Sequence, residues 1–432
     1  MSEVEIGILA LVLLLILFAA GMEIGFAMGF VGFLGYVYLS SFKSALNLLG
    51  RDFFDVISSY GYTVFPLFIL MGQIAFNAGL AARLYAAANK FLGHISGGLA
   101  MGTVAGAVGF KAMCGSSTAT AATFASVAIP EMDRYGYDKK LSTGIVASVG
   151  TLGCIIPPSV TLIIYGVITE QSIGKLFLAG MIPGLMIASF FLIIIFGWAK
   201  INPAIAPKAE PALWKDRIAA IPSVFWVLLI FVIVVGGIMA GYFTPTEAGS
   251  IGAFAIFLLS FLNKDLNFKS FIKSLRESLL TASMILMLLA GSTILSHFIT
   301  ITNIPKVTAE WITALPLNRN VIMVIICLIY LIGGSFIEDL AFMIFVTPIF
   351  YPAALKLGYD PIWFGIIIAI TIMVGVVIPP VAICVFVVGN ITKVPLSTIY
   401  KGVVPFLLSF VVAGFLLFLF PQLALWLPRV MD

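Results

Sequence analysis

Charge is what this sequence has least of. Of 432 residues only 10% are Asp, Glu, Lys or Arg, against 62% apolar, and mean hydropathy is +1.17. Soluble domains carry about 25% charged residues. A water-exposed globule is therefore excluded, and a polytopic helical membrane protein remains. There are two histidines and four cysteines. Cys114, Cys154, Cys327 and Cys384 are dispersed through apolar segments with no Cys-x-x-Cys pair, so they read as small packing residues, not as a disulfide or metal framework. No Gly-x-x-x-x-Gly-Lys-Ser/Thr loop occurs, which excludes ATP hydrolysis by that route. The lack of a His-Glu-x-x-His pair argues against a zinc intramembrane protease. A net charge of +4 with no basic–aromatic patch points to no nucleic-acid partner. The N-terminal stretch carries Glu3 and Glu5 in place of a basic n-region, so the first apolar run is expected to be retained as a span.

What is present is a series of apolar runs near the ~20 residues a membrane-spanning helix needs. Ile6–Ala20, Phe26–Leu39, Tyr62–Ala78 and Leu176–Trp198 are predicted spans in the first half. Phe42–Ser59 and Leu80–Phe91 mix charge with apolar residues and read as amphipathic helices along the interface. Gly97–Met113 and Thr118–Pro130 are short arms joined by a polar tip, Cys114-Gly115-Ser116-Ser117. They form either a re-entrant hairpin or one long kinked span. Leu141–Gly166 is interrupted at Pro157-Pro158, where two consecutive prolines unwind a helix. In hydrocarbon, every freed backbone group must find a partner or line a wet cavity. The polar tip and the double proline are therefore expected to wall one buried polar site.

The second half repeats this order. Ile221–Ala240, Glu247–Leu262 and Leu279–His297 answer the opening spans, and Phe268-Lys269-Ser270 echoes Phe42-Lys43-Ser44. Asn320–Ile332 and Phe336–Phe350 answer the hairpin arms around a predicted tip at Gly333-Gly334-Ser335. Pro361–Gly389 answers the broken span, and Leu396–Phe420 closes the set. Pro157 to Pro183 and Pro379 to Pro405 are both 26 residues, and Asp138 to Pro157 and Asp360 to Pro379 are both 19. If the hairpins do not cross, each half makes five crossings, so the second copy is inverted. Inverted repeats with discontinuous helices at mid-membrane are the mark of secondary transporters. Fifteen of the 23 Lys and Arg residues collect on one side, which makes that side cytoplasmic and both termini periplasmic.

Ser116, Ser117, Thr118 and Thr120 offer hydroxyls at the first tip. They suit either a sodium cage, with helix N-termini nearby for a substrate carboxylate, or plain helix–helix hydrogen bonding. Glu338 and Asp339 follow the second tip. Intramembrane acids are costly, and these either coordinate a cation, hold a proton or cap the second arm. Lys111, four residues before Gly115, either pairs with an anionic substrate or snorkels to the interface. His94 and His297 read as interfacial packing.

These residues carry a family resemblance. Gly115-Ser116-Ser117-Thr118-Ala119-Thr120-Ala121-Ala122, Ile129-Pro130-Glu131-Met132, Gly136-Tyr137 and Ile155-Ile156-Pro157-Pro158-Ser159 resemble the large membrane subunit of TRAP (tripartite ATP-independent periplasmic) transporters. Phe336-Ile337-Glu338, Thr347-Pro348-Ile349, Gly358-Tyr359-Asp360 and Ile378-Pro379-Pro380 fit the same pattern. The resemblance implies an all-α fold with a scaffold and an elevator-type transport domain. It implies sodium-driven uptake of a small carboxylate, such as a C4-dicarboxylate or sugar acid, across the bacterial inner membrane. A periplasmic binding protein would deliver this small anionic substrate, and a small four-helix membrane subunit would brace the scaffold amid membrane lipid. The alternative is a stand-alone ion-coupled carboxylate transporter with no binding protein.

Carried onto this chain, sodium would be held at Ser116, Gly153, Pro157, Gly334, Ser335, Glu338, Gly375 and Pro379, mostly through backbone carbonyls. Substrate would meet Lys111, Ser116, Ser117, Thr118, Pro158, Ser159 and Pro380. Scaffold would occupy 1–94 and 218–317, transport halves 95–198 and 318–432, and a cytoplasmic linker 199–217. Lys111 and the acidic pair Glu338-Asp339 depart from the family's pattern of small or single-acid residues.

Overall fold

The computed structural model describes residues 2–430; Met1, Met431 and Asp432, the outermost residues of the first and last predicted segments, lie outside it. Every regular element among the described residues is helical. Helix α1 (Glu3–Ala19) opens on a capping box in which Ser2 and Glu5 satisfy each other's backbone amides. After α2 (Ile24–Leu39), the amphipathic α3 (Phe42–Ser58) starts at the Ser41 cap. A short turn over Tyr60–Thr63 bends the chain by 52° into α4 (Val64–Asn77). Helix α5 (Leu80–Leu92) is the second amphipathic arm.

Helices α6 (Gly98–Lys111) and α7 (Ser117–Arg134) form the first hairpin. Gly136 then turns the chain at φ +75°, and Asp138 caps α8 (Lys139–Thr151). After the break come α9 (Val160–Ile168) and the long α10 (Ile173–Ile201).

The second half runs through α11 (Trp214–Met239) and α12 (Pro245–Leu262), the latter begun by a Thr244–Glu247 capping box with Pro245 at its first position. Helix α13 (Phe268–Ile301) and α14 (Ile304–Ala314) follow. Helices α15 (Arg319–Phe336) and α16 (Asp339–Lys356) form the second hairpin. Gly358 at φ +80° and the Asp360 cap lead into α17 (Pro361–Gly375), matching the Gly136–Asp138 turn. Helices α18 (Ile383–Thr392), α19 (Leu396–Leu419) and α20 (Gln422–Val430) complete the chain. Among the described residues, seven helices are long and apolar enough to cross a bilayer, or eight if the bent α3–α4 pair is one span.

Much of the helix packing joins the two halves. Helix α2 lies along α13, α4 along α12, and α8 along α19. Glycine makes the first of these possible: a Cβ on Gly32 would sit 2.7 Å from the Leu295 backbone. Helix α7 meets α18, and α16 meets α9. The tyrosines that follow the two turn glycines each tie the turn back to the first arm of its hairpin. Tyr137 accepts from the Leu99 amide of α6, and Tyr359 donates to Asn320 of α15.

Four expectations change. The second tip is not at Gly333-Gly334-Ser335, which finish α15 in helical form, with Ser335 Oγ donating back to the Ile332 carbonyl at 2.7 Å. The turn comes at Ile337-Glu338, because Ile337 is extended and the Glu338 carboxylate caps α16. The second arm and Leu279–His297 are one uninterrupted α13, where the first half bends. Helices α14 and α20 were not expected. The segment joining α10 to α11 shortens to 202–213 and is pinned down: Gly97 donates to Ala206, and Ala209 to Gly93.

Candidate functional site

Two tips and two helix breaks meet around one cavity. At the first tip, α6 ends at Lys111 and the chain runs unwound to Ser116, whose hydroxyl caps α7 by accepting from the Ala119 amide. The first break unwinds after Thr151 through a tight turn at Leu152–Cys154, passes a cis Pro157-Pro158 bond, and restarts at the Ser159 cap of α9. These pieces touch. A Cβ on Gly115 would lie 2.6 Å from the Pro158 carbonyl oxygen. Gly115 is therefore a glycine because tip and break backbones abut there.

The second pair is built alike. Helix α17 ends at Gly375, a cis Pro379-Pro380 bond follows, and α18 starts beyond Ala382, which holds φ +42°. A Cβ on Gly375 would lie 2.9 Å from the Gly334 carbonyl carbon, and the Val381 amide donates to the Ser335 carbonyl at 3.0 Å. The halves join through Cys154, whose Sγ is 3.3 Å from Ser117 Oγ and 3.7 Å from Asp339 Oδ2.

Between them lies a cavity of about 560 Å³, within the usual range for small-molecule sites, about 300–1,000 Å³. Ser116, Ser117 and Thr118 line one wall and Glu338, Asp339 and Leu340 another. Val160 and Thr161 of α9 and Ile383 and Cys384 of α18 line it too. Ile69, Gly72 and Gln73 of α4 and Thr281, Met284 and Ile285 of α13 close it. The starts of α7, α9, α16 and α18 all face this space, so the partial positive ends of four helices converge on it. No lysine, arginine or histidine lines it. A larger cavity of about 700 Å³ between α5, α6, α10 and α11 is walled almost wholly by apolar side chains, Ile156 and Pro157 among them.

The structure brings some expected residues into the cavity and leaves others behind it. Ser116, Ser117, Thr118 and Glu338 line it. Gly153, Pro158, Ser159, Gly334, Ser335 and Gly375 form the packed backbone seams behind, whereas Pro379 and Pro380 are exposed at the second break. Glu338 takes the capping role, its carboxylate accepting from the Ala341 amide at 3.1 Å. Asp339 is free of that duty and 9% exposed. Lys111 is 0% exposed and does not snorkel; its Nζ donates to the Ser116 carbonyl at 2.7 Å. Gln73, Thr161, Thr281 and Cys384 were missed. Gln73 and Thr281 could have been found as polar residues inside otherwise apolar spans.

A family model described as "Tripartite ATP-independent periplasmic transporter, DctM component" matches residues 11–423. The C4-dicarboxylate TRAP transporter large permease protein DctM of Pseudomonas aeruginosa is 34% identical over 386 residues, covering 89% of this chain and 90% of that one. The sialic acid TRAP transporter large permease protein SiaM of Vibrio cholerae is 31% identical over 418 residues, covering 95% and 96%. Among solved structures, the Alcanivorax borkumensis YdaH transporter superposes with a TM-score of 0.59 at 12% identity, covering 88% of this chain and 89% of that one. At that identity the likeness concerns the fold alone.

Proposed function

Because the chain belongs to the DctM component family of tripartite ATP-independent periplasmic transporters, we propose that it is the sodium-coupled uptake subunit for a small carboxylate-bearing solute. It is a multi-pass membrane transporter component and not an enzyme. The observation that carries the finer reading is the shared cavity at which both tip–break pairs and four helix N-termini converge. Converging N-termini suit a carboxylate without a fixed cationic side chain. At the second pair Ser335 and the Gly334 and Gly375 carbonyls offer oxygen ligands, the chemistry a hard cation such as sodium selects, and would hold it there.

The mobile part would comprise the hairpins and broken helices within 95–198 and 318–432, sliding as an elevator against a scaffold in 1–94 and 218–317. Support for an inverted repeat comes from paired contacts: α2 on α13 has its counterpart in α12 on α4, and α7 on α18 in α16 on α9. A periplasmic binding protein would deliver the solute and a small four-helix subunit would brace the scaffold. The lysine and arginine distribution favours an inner-membrane protein with periplasmic termini.

The test is uptake of labelled succinate and N-acetylneuraminate into proteoliposomes holding both membrane subunits, with the cognate binding protein outside. Uptake should follow an inward sodium gradient and vanish without the binding protein. Equal rates when potassium replaces sodium would reject the coupling, and equal rates without the binding protein would favour a stand-alone carrier.

A further inference from the structure

Lys111 occupies the place where a cation would sit at the first tip. It is among the largest wholly buried side chains, and its ammonium lies between the two walls of the first tip–break pair. On the tip side it donates to the Ser116 carbonyl at 2.7 Å. On the break side it rests against Gly153, where any Cβ would run into Nζ and would also lie 3.3 Å from the Gly115 carbonyl oxygen. The Ser116 carbonyl is moreover fully engaged, since the Thr120 amide donates to it at 3.3 Å and Thr120 Oγ1 at 2.9 Å. A carbonyl oxygen has two lone pairs, so three donors leave none for a metal ion. That carbonyl therefore cannot also hold sodium, and the Lys111 ammonium already fills the space beside it.

The second pair is different. No lysine or arginine occurs in 320–355 or 357–392, which contain the whole tip and break. The Ser335 carbonyl there accepts from the Val381 amide at 3.0 Å.

We propose that the Lys111 ammonium is a built-in replacement for one coupling sodium ion, so that the transporter binds sodium only at the Gly334–Gly375 pair. A tethered ammonium supplies the unit positive charge that draws tip and break together, as a bound ion does. It is never released, so it adds nothing to the charge moved per cycle. The inference rests on the sodium-coupled reading above and concerns how many ions that reading requires.

The experiment measures equilibrium binding of sodium-22 to the purified two-subunit membrane complex, together with the sodium dependence of succinate or N-acetylneuraminate uptake in proteoliposomes. Wild type is expected to bind one sodium per large subunit, with a Hill coefficient of about 1, since that coefficient is bounded by the number of sites. Lys111→Ala is expected to bind two, with a coefficient rising towards about 2, and to need several-fold more sodium for half-maximal uptake. Lys111→Ser is the second variant should the first not insert. Two ions bound to wild type overturn the inference and leave the sodium reading standing. No bound sodium and no gradient dependence overturn both. One ion in wild type and still one in a folded, transporting Lys111 variant also overturn it.

Discussion

Gly115→Ala is the sharpest probe of the first tip. The added methyl would lie 2.6 Å from the Pro158 carbonyl oxygen, 3.1 Å from the Val160 amide nitrogen and 3.4 Å from Ser159 Cα. All three obstacles are backbone, so no side chain can rotate out of the way, and the tip must lift from the break. Overpacking of this kind costs about 1–3 kcal/mol. At 1.4 kcal/mol per factor of ten, the seated tip loses roughly five- to 150-fold in population. If seating the tip gates transport, the initial rate of uptake falls by that factor while membrane insertion is unchanged. Gly414→Ala in α19 is the matched control, because a Cβ there meets nothing within 4 Å. It should transport as wild type does. Gly115→Ala transporting within twofold of wild type, with its amount in the vesicles verified, would refute the argument that the tip must rest on Pro158.

Gly402→Ala should lower the thermal unfolding temperature in detergent, because its Cβ would run into the Lys140 carbonyl and force α19 from α8; the overpacking cost is about 1–3 kcal/mol. Asp52, 4% exposed, is held by His297 Nδ1 at 2.9 Å and fastens α3 to α13. Asp52→Ala removes that fastening and should raise protease cleavage within α3, whereas an unchanged digestion pattern would show that apolar packing alone holds it. Glu338→Ala removes the α16 cap and should cost about 0.5–2 kcal/mol, seen as a lower unfolding temperature, with Glu338→Ser recovering most of it.

The breaks were legible because proline acts locally: Pro157-Pro158 and Pro379-Pro380 interrupt α8–α9 and α17–α18 where the sequence says they must. The turn pairs Gly136–Asp138 and Gly358–Asp360 were legible for the same reason. The second tip was not. Gly333 and Gly334 look like breakers, but Gly333 faces the Phe342 ring, so the missing side chain is a packing choice and the helix continues. The fusion of arm and span in α13 depends on the absence of a bend, which no single residue announces. Lys111 stood out as a buried charge, yet its direction, onto Ser116 and Gly153, is a property of two segments meeting in space. Gln73 and Thr281 become cavity residues only when α4 and α13 are laid against the tips.

Helix α13 has a mechanical consequence. Its 34 residues reach about 51 Å at 1.5 Å per residue, against a hydrocarbon slab of about 30 Å. The surplus is a stiff lever whose outer end carries Lys269, Lys273 and Arg276, and whose next turns present Thr281, Met284 and Ile285 to the central cavity. With no hinge between handle and blade, whatever grips those basic residues at the headgroups also tilts one side of the cavity. The first half, bent by 52° at the matching place, has a joint there instead.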